Sequence, residues 1–458
     1  MSGNKTYNII TFGCQMNEHD SETISGMLQQ RGYIEAPEKN ESDITIINTC
    51  SIRENADKRF FGTLGQLKKI KEKNPEYVTC VCGCMMQQDH IVQELKQKYP
   101  WVDIIFGTHN ICEFPDMLEE VYERRSKATK RTKNRDLRIH RVYEDTDKIA
   151  EGLPAKRLYK HKSFVNIMFG CNNFCTYCIV PYTRGREKSR KPEDIISEIK
   201  ALVSDGVKEV TLLGQNVNSY SGVGADGKQW DFTDLIYALN DIDGLERIRF
   251  MTSHPKDLSD KLIKAFRECD KLCNYIHLPV QAGSSRVLKR MNRRYTREKY
   301  LDLVRKLRQA VPGIAISTDI IVGFPGETEE DFEETLTLAK EVQYDSAFTF
   351  LYSIRKGTPA AEYEDQIPEL VKHERFNRLL DIMNNGSAMK NAAYVGRVEK
   401  VLVDGLSKKD DKIYSGRTEG FKLVDFTADE NAGEELIGQI VEVEITDSNT
   451  FSLRGRLK

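Results

Sequence analysis

The chain has 458 residues, of which 39% are hydrophobic and 30% charged, and its formal net charge is −2. This length predicts two or three domains, because a single hydrophobic core does not grow to serve so long a chain. The apolar runs are far shorter than the roughly 20 residues that span a bilayer, and the start lacks a signal-peptide pattern, so we expect a cytoplasmic protein with no membrane partner.

The first segment, residues 5–122, alternates short β-type runs with amphipathic helical runs. Such alternation with short connections predicts a parallel sheet covered by helices on both faces. A basic stretch over residues 123–156 is predicted to be a linker. The predicted strands are residues 7–12, 44–48, 77–81 and 102–106, and the predicted helices include residues 21–30, 55–71 and 91–98.

The second segment, residues 157–387, repeats the alternation on a larger scale. Parallel strands joined by crossover helices predict a full or partial α/β barrel, with the active site at the carboxyl ends of the strands. The six candidate strands are residues 164–169, 209–213, 247–252, 275–279, 315–322 and 347–352.

The third segment, residues 390–458, contains short β-runs separated by turn residues. Five strands in so short a segment predict a small barrel of the oligonucleotide-binding kind. The candidate strands are residues 397–403, 413–417, 422–426, 440–445 and 451–456.

Positive charge is concentrated in two runs. Residues 124–141 contain nine Lys or Arg and one acid, and residues 286–297 contain six Lys or Arg and no acid. Either run alone is most often a solvated face or a linker. Two such runs in one chain are compatible with an anionic polymer as a partner.

The eleven cysteines do not indicate a disulfide framework, because their number is odd and the cytosol is reducing. The sharpest motif is Cys171-x3-Cys175-x2-Cys178, directly after the first strand of the second segment. Three thiolates in one loop can bind three corners of an iron–sulfur cluster and leave one iron open for a small ligand. The alternative, a zinc site, lacks a nearby fourth ligand at zinc spacing.

Residues 170–190, which contain this motif, resemble the methylthiotransferase family of the radical S-adenosylmethionine superfamily, and the resemblance covers almost the whole chain. It implies a flavodoxin-like α/β domain with an auxiliary cluster over residues 5–122, a partial TIM-type (β/α)6 core over 157–387, and an RNA-binding TRAM barrel, OB-like, over 390–458. It also implies two [4Fe-4S] clusters and two S-adenosylmethionine molecules per turnover. One molecule methylates a sulfur on the auxiliary cluster, and the other yields a 5′-deoxyadenosyl radical.

A second set of cysteines follows the strands of the first segment: Cys14, Cys50 and Cys84 come after the first, second and third predicted strands. Carboxyl ends of neighbouring parallel strands meet at one edge of a sheet, so these thiols are expected to converge. Three ordinary buried thiols are the alternative, which explains the repetition poorly. These segments resemble the family's ligands for the auxiliary cluster. Cys80 and Cys82 compete with Cys84, which we choose because it stands just past the strand and matches the family pattern.

Candidate contacts to S-adenosylmethionine come from other strand ends of the second segment, where the superfamily binds this molecule. They are Gly214, Gln215 and Asn216 after the second strand, Gln281 after the fourth, and Asp319 and Gly323 on the fifth. The remaining cysteines, Cys112, Cys269 and Cys273, are predicted to be structural. Phe421 is a departure, since the family more commonly has Asn at this place.

The motif run resembles most closely the bacterial-type branch whose substrate carries an isopentenyl group. The resemblance therefore implies conversion of N(6)-isopentenyladenosine next to the tRNA anticodon to its 2-methylthio derivative. A base in a loop is unstacked at modest cost. The expected partners are the tRNA anticodon loop, an electron donor and a sulfur or cluster repair system, and we expect a monomer.

Two other functions remain open at this point. One is methylthiolation of a ribosomal-protein aspartate or of threonylcarbamoyladenosine in tRNA. The other, from a different class, is a non-catalytic iron–sulfur, RNA-binding redox sensor.

Overall fold

The computed structural model describes residues 5–51, 54–130, 132–143, 152–408, 410–428 and 434–458. The chain divides into two compact units. The first contains the residues up to 158 together with 169–172 and 178–188, and the second contains 159–168, 173–177 and 189–458. None of the helices in the described residues combines the length and the hydrophobicity that a membrane span requires.

The N-terminal part of the first unit is a parallel α/β sheet. Its elements in chain order are β1 (Thr6–Thr11), α1 (Gln15–Gln30), β2 (Ile34–Glu35), β3 (Ile44–Thr49), α2 (Glu54–Lys73), β4 (Val78–Gly83), α3 (Asp89–Lys98), β5 (Ile104–Phe106), α4 (Phe114–Ser126), α5 (Asn134–Leu137) and β6 (Ile139–Arg141). The strands lie in the order β2-β1-β3-β4-β5-β6, and every pair is parallel. This is the flavodoxin-like order with one strand added at the edge, which confirms the predicted class.

The structure corrects the prediction of a linker over residues 123–156. Helix α4 continues to Ser126, and β6 pairs with β5, with Ile139 opposite Ile104. The strand was not predicted because its segment is rich in basic residues, which usually face solvent. Arg138, directly before the strand, is instead buried and donates hydrogen bonds to internal carbonyl oxygens, including that of Val102. Residues 131 and 144–151 of the predicted linker lie outside the described residues.

The next part of the chain alternates strands and helices. Its elements are β7 (Lys162–Asn166), β8 (Met168–Phe169), α6 (Val180–Thr183), β9 (Lys188–Ser189), α7 (Pro192–Ser204), β10 (Glu209–Leu213), β11 (Ser221–Val223), β12 (Gln229–Asp231), α8 (Phe232–Asn240), β13 (Arg247–Phe250), α9 (Asp260–Glu268), β14 (Tyr275–His277), α10 (Ser285–Arg290), α11 (Arg297–Ala310), β15 (Ala315–Val322), α12 (Glu329–Val342), β16 (Ser346–Leu351) and α13 (Glu369–Ala392).

Six of these strands build the predicted partial barrel. They form two parallel runs, β7-β10-β13 and β14-β15-β16, and a bridge between Ile248 and Leu272 continues the first run towards β14. Strands β10, β13 and β14 are wholly buried and β15 is mostly buried, whereas β16 alternates exposed and half-buried residues. The helices pack apolar faces against the buried strands in one continuous core. The predicted α/β partial barrel is therefore confirmed.

The described residues of the third segment form a closed five-stranded barrel, here called the C-terminal barrel. Its strands are β17 (Val398–Ser407), β18 (Asp410–Thr418), β19 (Leu423–Thr427), β20 (Ile440–Ser448) and β21 (Leu453–Leu457). They close in the order β17-β18-β19-β21-β20 around alternating inward-facing apolar residues such as Val401, Val403 and Phe426. Closure leaves no unpaired edge, and the predicted barrel is confirmed.

The C-terminal barrel packs against the amino ends of the partial-barrel strands. Arg247, the first residue of β13, donates to the carbonyl oxygen of Lys400 at 2.8 Å. Arg249 is 2% exposed and donates to the carbonyl oxygens of Thr418 at 2.8 Å and Glu419 at 2.7 Å. Similar contacts join Lys162 to Asp404, Lys208 to Gln439, Asn274 to Glu419, and Lys422 to Asp345. The C-terminal barrel thus lies opposite the carboxyl ends, where the active site is predicted.

Candidate functional site

The structure brings together the three predicted ligands of the first unit. Cys14 follows β1, Cys50 follows β3 and Cys84 follows β4, and these three strands are neighbours in the sheet. The thiol of Cys50 donates a hydrogen bond to Cys14, and Cys84 lies within electrostatic range of Cys14. The three cysteines therefore lie together at the strand ends, as expected, and their role as ligands stays a prediction.

Two glycines allow the backbone to close around these thiols. Gly13 has φ +144°, and a Cβ on it would lie 2.8 Å from the Cβ of Cys50. Gly83, immediately before Cys84, has φ +96°, and its Cβ would lie 2.2 Å from the carbonyl oxygen of Thr49. Because any larger residue would fill these approaches, glycine is required to place both cysteines.

Buried amide side chains hold the strand ends in register. The side-chain N–H of Asn17 donates to Asn48 Oδ1 at 3.1 Å and to the carbonyl oxygen of Thr49 at 3.0 Å. The side-chain N–H of Asn48 donates in turn to the carbonyl oxygen of Asn17 at 2.9 Å and to Ser21 Oγ at 3.0 Å. Oδ1 of Asn17 also accepts from the backbone N–H and from Sγ of Cys14, both at 3.4 Å, so this network fixes the loops that carry Cys14 and Cys50.

The electrostatics favour a thiolate in this group. The hydrogen bond from Cys50 is the main reason that the pKa of Cys14 falls to about 5; burial opposes the shift, and the charge of Arg184 adds to it. Burial raises the pKa of Cys84, and Arg184 partly offsets that rise. Thiolates are the form in which cysteine binds iron, so the chemistry of this donor set fits an iron–sulfur cluster.

Cys80 and Cys82 belong to the hydrophobic core instead. Both lie within β4, are at most 2% exposed, and pack with apolar residues such as Tyr7 and Ile24. Burial raises the pKa of both thiols well above the ordinary value. This environment supports the choice of Cys84, which follows the strand and lies within electrostatic range of Cys14.

The predicted cysteine loop of the second segment is tightly held. Cys171 and Cys175 are 9% and 6% exposed, and Cys178 is half-buried. The guanidinium of Arg293, itself buried, donates to Cys175 Sγ at 3.5 Å. The side chain of Asn292 donates to the carbonyl oxygens of residues 173 and 174. Three buried or half-buried thiols, one of them beside a fixed cation, fit an iron–sulfur cluster.

In the part of the chain that the structure describes, no three His, Cys, Asp or Glu side chains are arranged to hold a single metal ion. A four-iron cluster makes a different demand, because its thiolates bind different irons and stand further apart than ligands of one ion.

The predicted contacts to S-adenosylmethionine at the end of β10 are buried and close to other groups. A Cβ on Gly214 would lie 2.5 Å from Met168 Cγ, and Gln215 is half-buried. Asn216 is 1% exposed, and its Nδ2 donates to Asp257 Oδ2 at 2.8 Å. Its Oδ1 has no hydrogen-bond partner among the described residues. A buried acceptor left open at a strand end suits a ligand ammonium group.

The other predicted contacts lie along β14 and β15. Gln281 has φ +71°, and its N–H donates to the carbonyl oxygen of Asp319 at 2.9 Å. Oδ1 of Asp319 lies 3.4 Å from His277 Nε2. Gly323 has φ +74°, and a Cβ there would lie 2.4 Å from Lys372 Cγ. Internal packing thus accounts for glycine at 323, and contact of these residues with a cofactor stays a prediction.

Sequence reasoning missed two arginines, Arg184 and Arg293, each of which donates to the sulfur of a predicted ligand. Arg184 follows the cysteine loop, which was interpreted only as a source of thiol ligands. Arg293 lies within the basic run 286–297, which was interpreted only as a candidate surface for an anionic polymer. The only signal in the sequence for these two contacts is that both arginines lie in or next to these segments.

Several cations of the two basic runs form ion pairs within the molecule. Arg125 pairs with Asp103 at 2.8 Å, and Arg141 pairs with Glu120 at 2.9 Å. In the second run, Arg286 pairs with Asp331. Their acidic partners lie elsewhere in the sequence, so charge density alone overstates the positive potential available to a polymer.

The chain also has clear relatives. Residues 6–107 match the uncharacterized protein family UPF0004, residues 165–339 the radical SAM superfamily, and residues 392–458 the TRAM domain. The chain is 58% identical over 451 residues to the tRNA-2-methylthio-N(6)-dimethylallyladenosine synthase of Clostridium botulinum strain Loch Maree, covering 98% of this chain and 96% of that protein. The chain belongs to this synthase family.

Other members are similarly close. The synthase of Alkaliphilus oremlandii is 54% identical, over 99% of this chain and 93% of its own. Among solved structures, the radical S-adenosylmethionine methyltransferase TsrM from Kitasatospora setae has a TM-score of 0.53 at 12% identity, covering 78% of this chain and 75% of that one. The cobalamin-dependent radical enzyme OxsB has a TM-score of 0.52 at 13% identity, covering 82% and 56%. At these identities the two structures share the fold alone with this member of the synthase family.

Proposed function

We propose that this chain converts N(6)-isopentenyladenosine next to the tRNA anticodon to 2-methylthio-N(6)-isopentenyladenosine. The observation that carries the proposal is the presence of two separate three-thiol sets, one at the ends of β1, β3 and β4 and one in the loop after β8. The two sets would hold two clusters, which would supply a radical from S-adenosylmethionine and the sulfur to be inserted. Insertion of sulfur at an unactivated carbon needs both.

The proposed roles follow from this division. Cys171, Cys175 and Cys178 would hold the radical-forming cluster, and Cys14, Cys50 and Cys84 the auxiliary cluster. The open Oδ1 of Asn216 would accept from the amino group of S-adenosylmethionine. Gly214, Gln215, Gln281, Asp319 and Gly323 would contact the rest of that molecule. The corresponding domains would be residues 5–122, 157–387 and 390–458.

We propose that the C-terminal barrel contributes to tRNA binding by stacking rather than by its strand charges. Three cations on or directly after β21 each have an acidic neighbour: Arg454 with Asp447, Arg456 with Glu444, and Lys458 with Glu442. Phe451, in the turn before β21, is 77% exposed. An exposed ring suits stacking on an unpaired base, which is tolerant of sequence. F451A would then weaken tRNA binding without changing iron content.

The reaction would also need electrons and replacement sulfur from outside the chain. We therefore propose that the protein works in the cytoplasm, as a monomer, with an electron donor and a sulfur or cluster repair system. These partners would be shared with the two other substrate assignments, so they do not separate the alternatives.

Mass spectrometry of digested tRNA tests the proposal directly. A deletion strain should lack 2-methylthio-N(6)-isopentenyladenosine, the wild-type gene should restore it, and C175A and C84A should not. A restored threonylcarbamoyladenosine derivative or a modified ribosomal-protein aspartate would point to the other substrates. Incubation with S-adenosylmethionine and dithionite excludes a redox sensor if 5′-deoxyadenosine forms.

A further inference from the structure

A buried arginine lies against one of the proposed auxiliary ligands within the first unit. Nε of Arg184 donates to Cys84 Sγ at 3.0 Å, and Nη2 donates to Asp20 Oδ2 at 3.1 Å. Arg184 is 8% exposed, so this is a charge held in place away from water. No step of the proposed reaction requires a cation here to bind substrate.

The backbone around Arg184 reaches the other set of thiols. Arg184 caps α6, with its N–H donating to the carbonyl oxygen of Val180 at 2.8 Å. The carbonyl oxygen of the next residue, Gly185, accepts from the N–H of Cys171 at 3.1 Å. Two consecutive residues therefore contact one proposed ligand from each set.

We infer that Arg184 is a positioning residue that fixes the sulfur of Cys84 and favours the reduced state of the auxiliary cluster. The inference rests on the proposed function, because it takes Cys84 as a ligand of that cluster. A guanidinium stays charged at every working pH and donates from a rigid plane, which a lysine ammonium does not. Hydrogen bonds and charge at ligand sulfurs are among the features that set the potentials of iron–sulfur clusters.

The direction of the effect follows from charge. Reduction adds one electron and hence one negative charge to the cluster and its thiolates. A fixed cation and an N–H donor at Cys84 stabilise that added charge, and Asp20 offsets part of the effect. Loss of the cation should therefore lower the midpoint potential, and loss of the Asp20 charge should raise it.

The test measures the auxiliary cluster by itself in the full chain. C171A, C175A and C178A together remove the other thiol set and keep the backbone N–H of residue 171. In this background, dithionite titration followed by electron paramagnetic resonance gives the midpoint potential. For R184M we expect the reduced-to-oxidised ratio at a fixed potential to fall at least tenfold, about 59 mV for one electron. R184K should fall less, and D20N should move the opposite way.

A local control is available in Thr108, whose Oγ1 donates to the carbonyl oxygen of Thr183 beside Arg184 at 3.2 Å. T108V should leave the midpoint unchanged, since it alters packing and not the charge at the sulfur. An R184M protein that keeps its iron and its midpoint overturns the inference. If R184M fails to hold iron, unchanged midpoints in both R184K and D20N overturn it. Failure of the proposed function would show differently, as a parent protein that lacks auxiliary iron or the tRNA product.

Discussion

The ring of Phe421 stacks on the ring of Tyr275, with their centroids 4.9 Å apart. Arg417 lies over the same ring, 4.3 Å from its centroid. Phe421 has φ +65°, a left-handed conformation that Asn adopts more readily than Phe. In this chain the Phe421 side chain joins the C-terminal barrel to the partial barrel.

We expect F421A to loosen this junction at a cost of about 2 kcal/mol, the loss of a half-buried aromatic contact. F421N should cost less, because Asn tolerates the backbone conformation although it also loses the stacking. Thermal unfolding followed by circular dichroism measures both. F451A is the matched control, as its exposed ring packs on nothing in the junction, and an equal loss in F451A would contradict the assignment.

The two thiol sets predict a total of about eight irons per chain after anaerobic reconstitution. Replacing Cys171, Cys175 and Cys178 with Ala should halve this number and leave the auxiliary cluster. Iron analysis and the optical spectrum report the result. Loss of all iron in the triple variant would mean that the set of Cys14, Cys50 and Cys84 does not form an independent site.

Cys84 and its neighbours in β4 should behave differently. C84A removes a proposed ligand and should abolish methylthiolation, whereas C80A and C82A should cost packing on the order of 1 kcal/mol. Iron content, thermal stability and the tRNA product are measured side by side. An inactive C82A protein with full iron content would overturn the choice of Cys84.

Arg293 should matter to the loop cluster in a way that its neighbour does not. R293Q removes the cation from Cys175 and should lower iron content towards half, since the thiolate loses its charge partner. R294Q is the matched control, because Arg294 is exposed and adjacent. Iron loss in both variants, or in neither, would contradict a specific role for Arg293.

The burial of Glu327 should make the free energy of unfolding depend on pH. Burial raises its pKa to about 7, against the hydrogen bond from the N–H of Gly323 and the charge of Arg375. The folded state therefore keeps this proton at pH values where the unfolded state releases it, so stability falls as pH rises from about 4.5 through about 7. The full effect is on the order of 3 kcal/mol.

E327Q replaces the protonated form and should remove this pH dependence. The difference in melting temperature, E327Q minus wild type, should therefore increase as the pH is raised from about 5.5 to about 8. E330Q is a suitable control, because Glu330 is an exposed neighbour in α12. The prediction would be contradicted if the melting temperatures of wild type and E327Q changed by the same amount across this pH range.

The strands and the thiol sets were predictable because their signals are local. Alternating and continuous apolar runs indicate strands, and a cysteine after each of several parallel strands indicates convergence, whatever the details of packing. Strand β2 was missed because it has only two residues, and β6 because it lies in a basic stretch.

The arginine contacts were not predictable for a different reason. Arg184 lies 100 positions from Cys84, and Arg293 lies 118 positions from Cys175. No periodicity relates such positions, so only the tertiary fold pairs them. The same limit applies to the pairs of Arg125 with Asp103 and of Arg286 with Asp331, whose members lie 22 and 45 positions apart.

The attachment of the C-terminal barrel to the amino ends of the strands would set a minimum length for a substrate that both the barrel and the predicted active site bind. The longest strand of the partial barrel, β15, has 8 residues, which at about 3.3 Å each separates the two ends by roughly 26 Å. A free nucleoside cannot reach from one end to the other. A folded RNA arm can run along the flank of the partial barrel, so an enzyme built this way would discriminate by reach between a modified base within tRNA and the same base released from it.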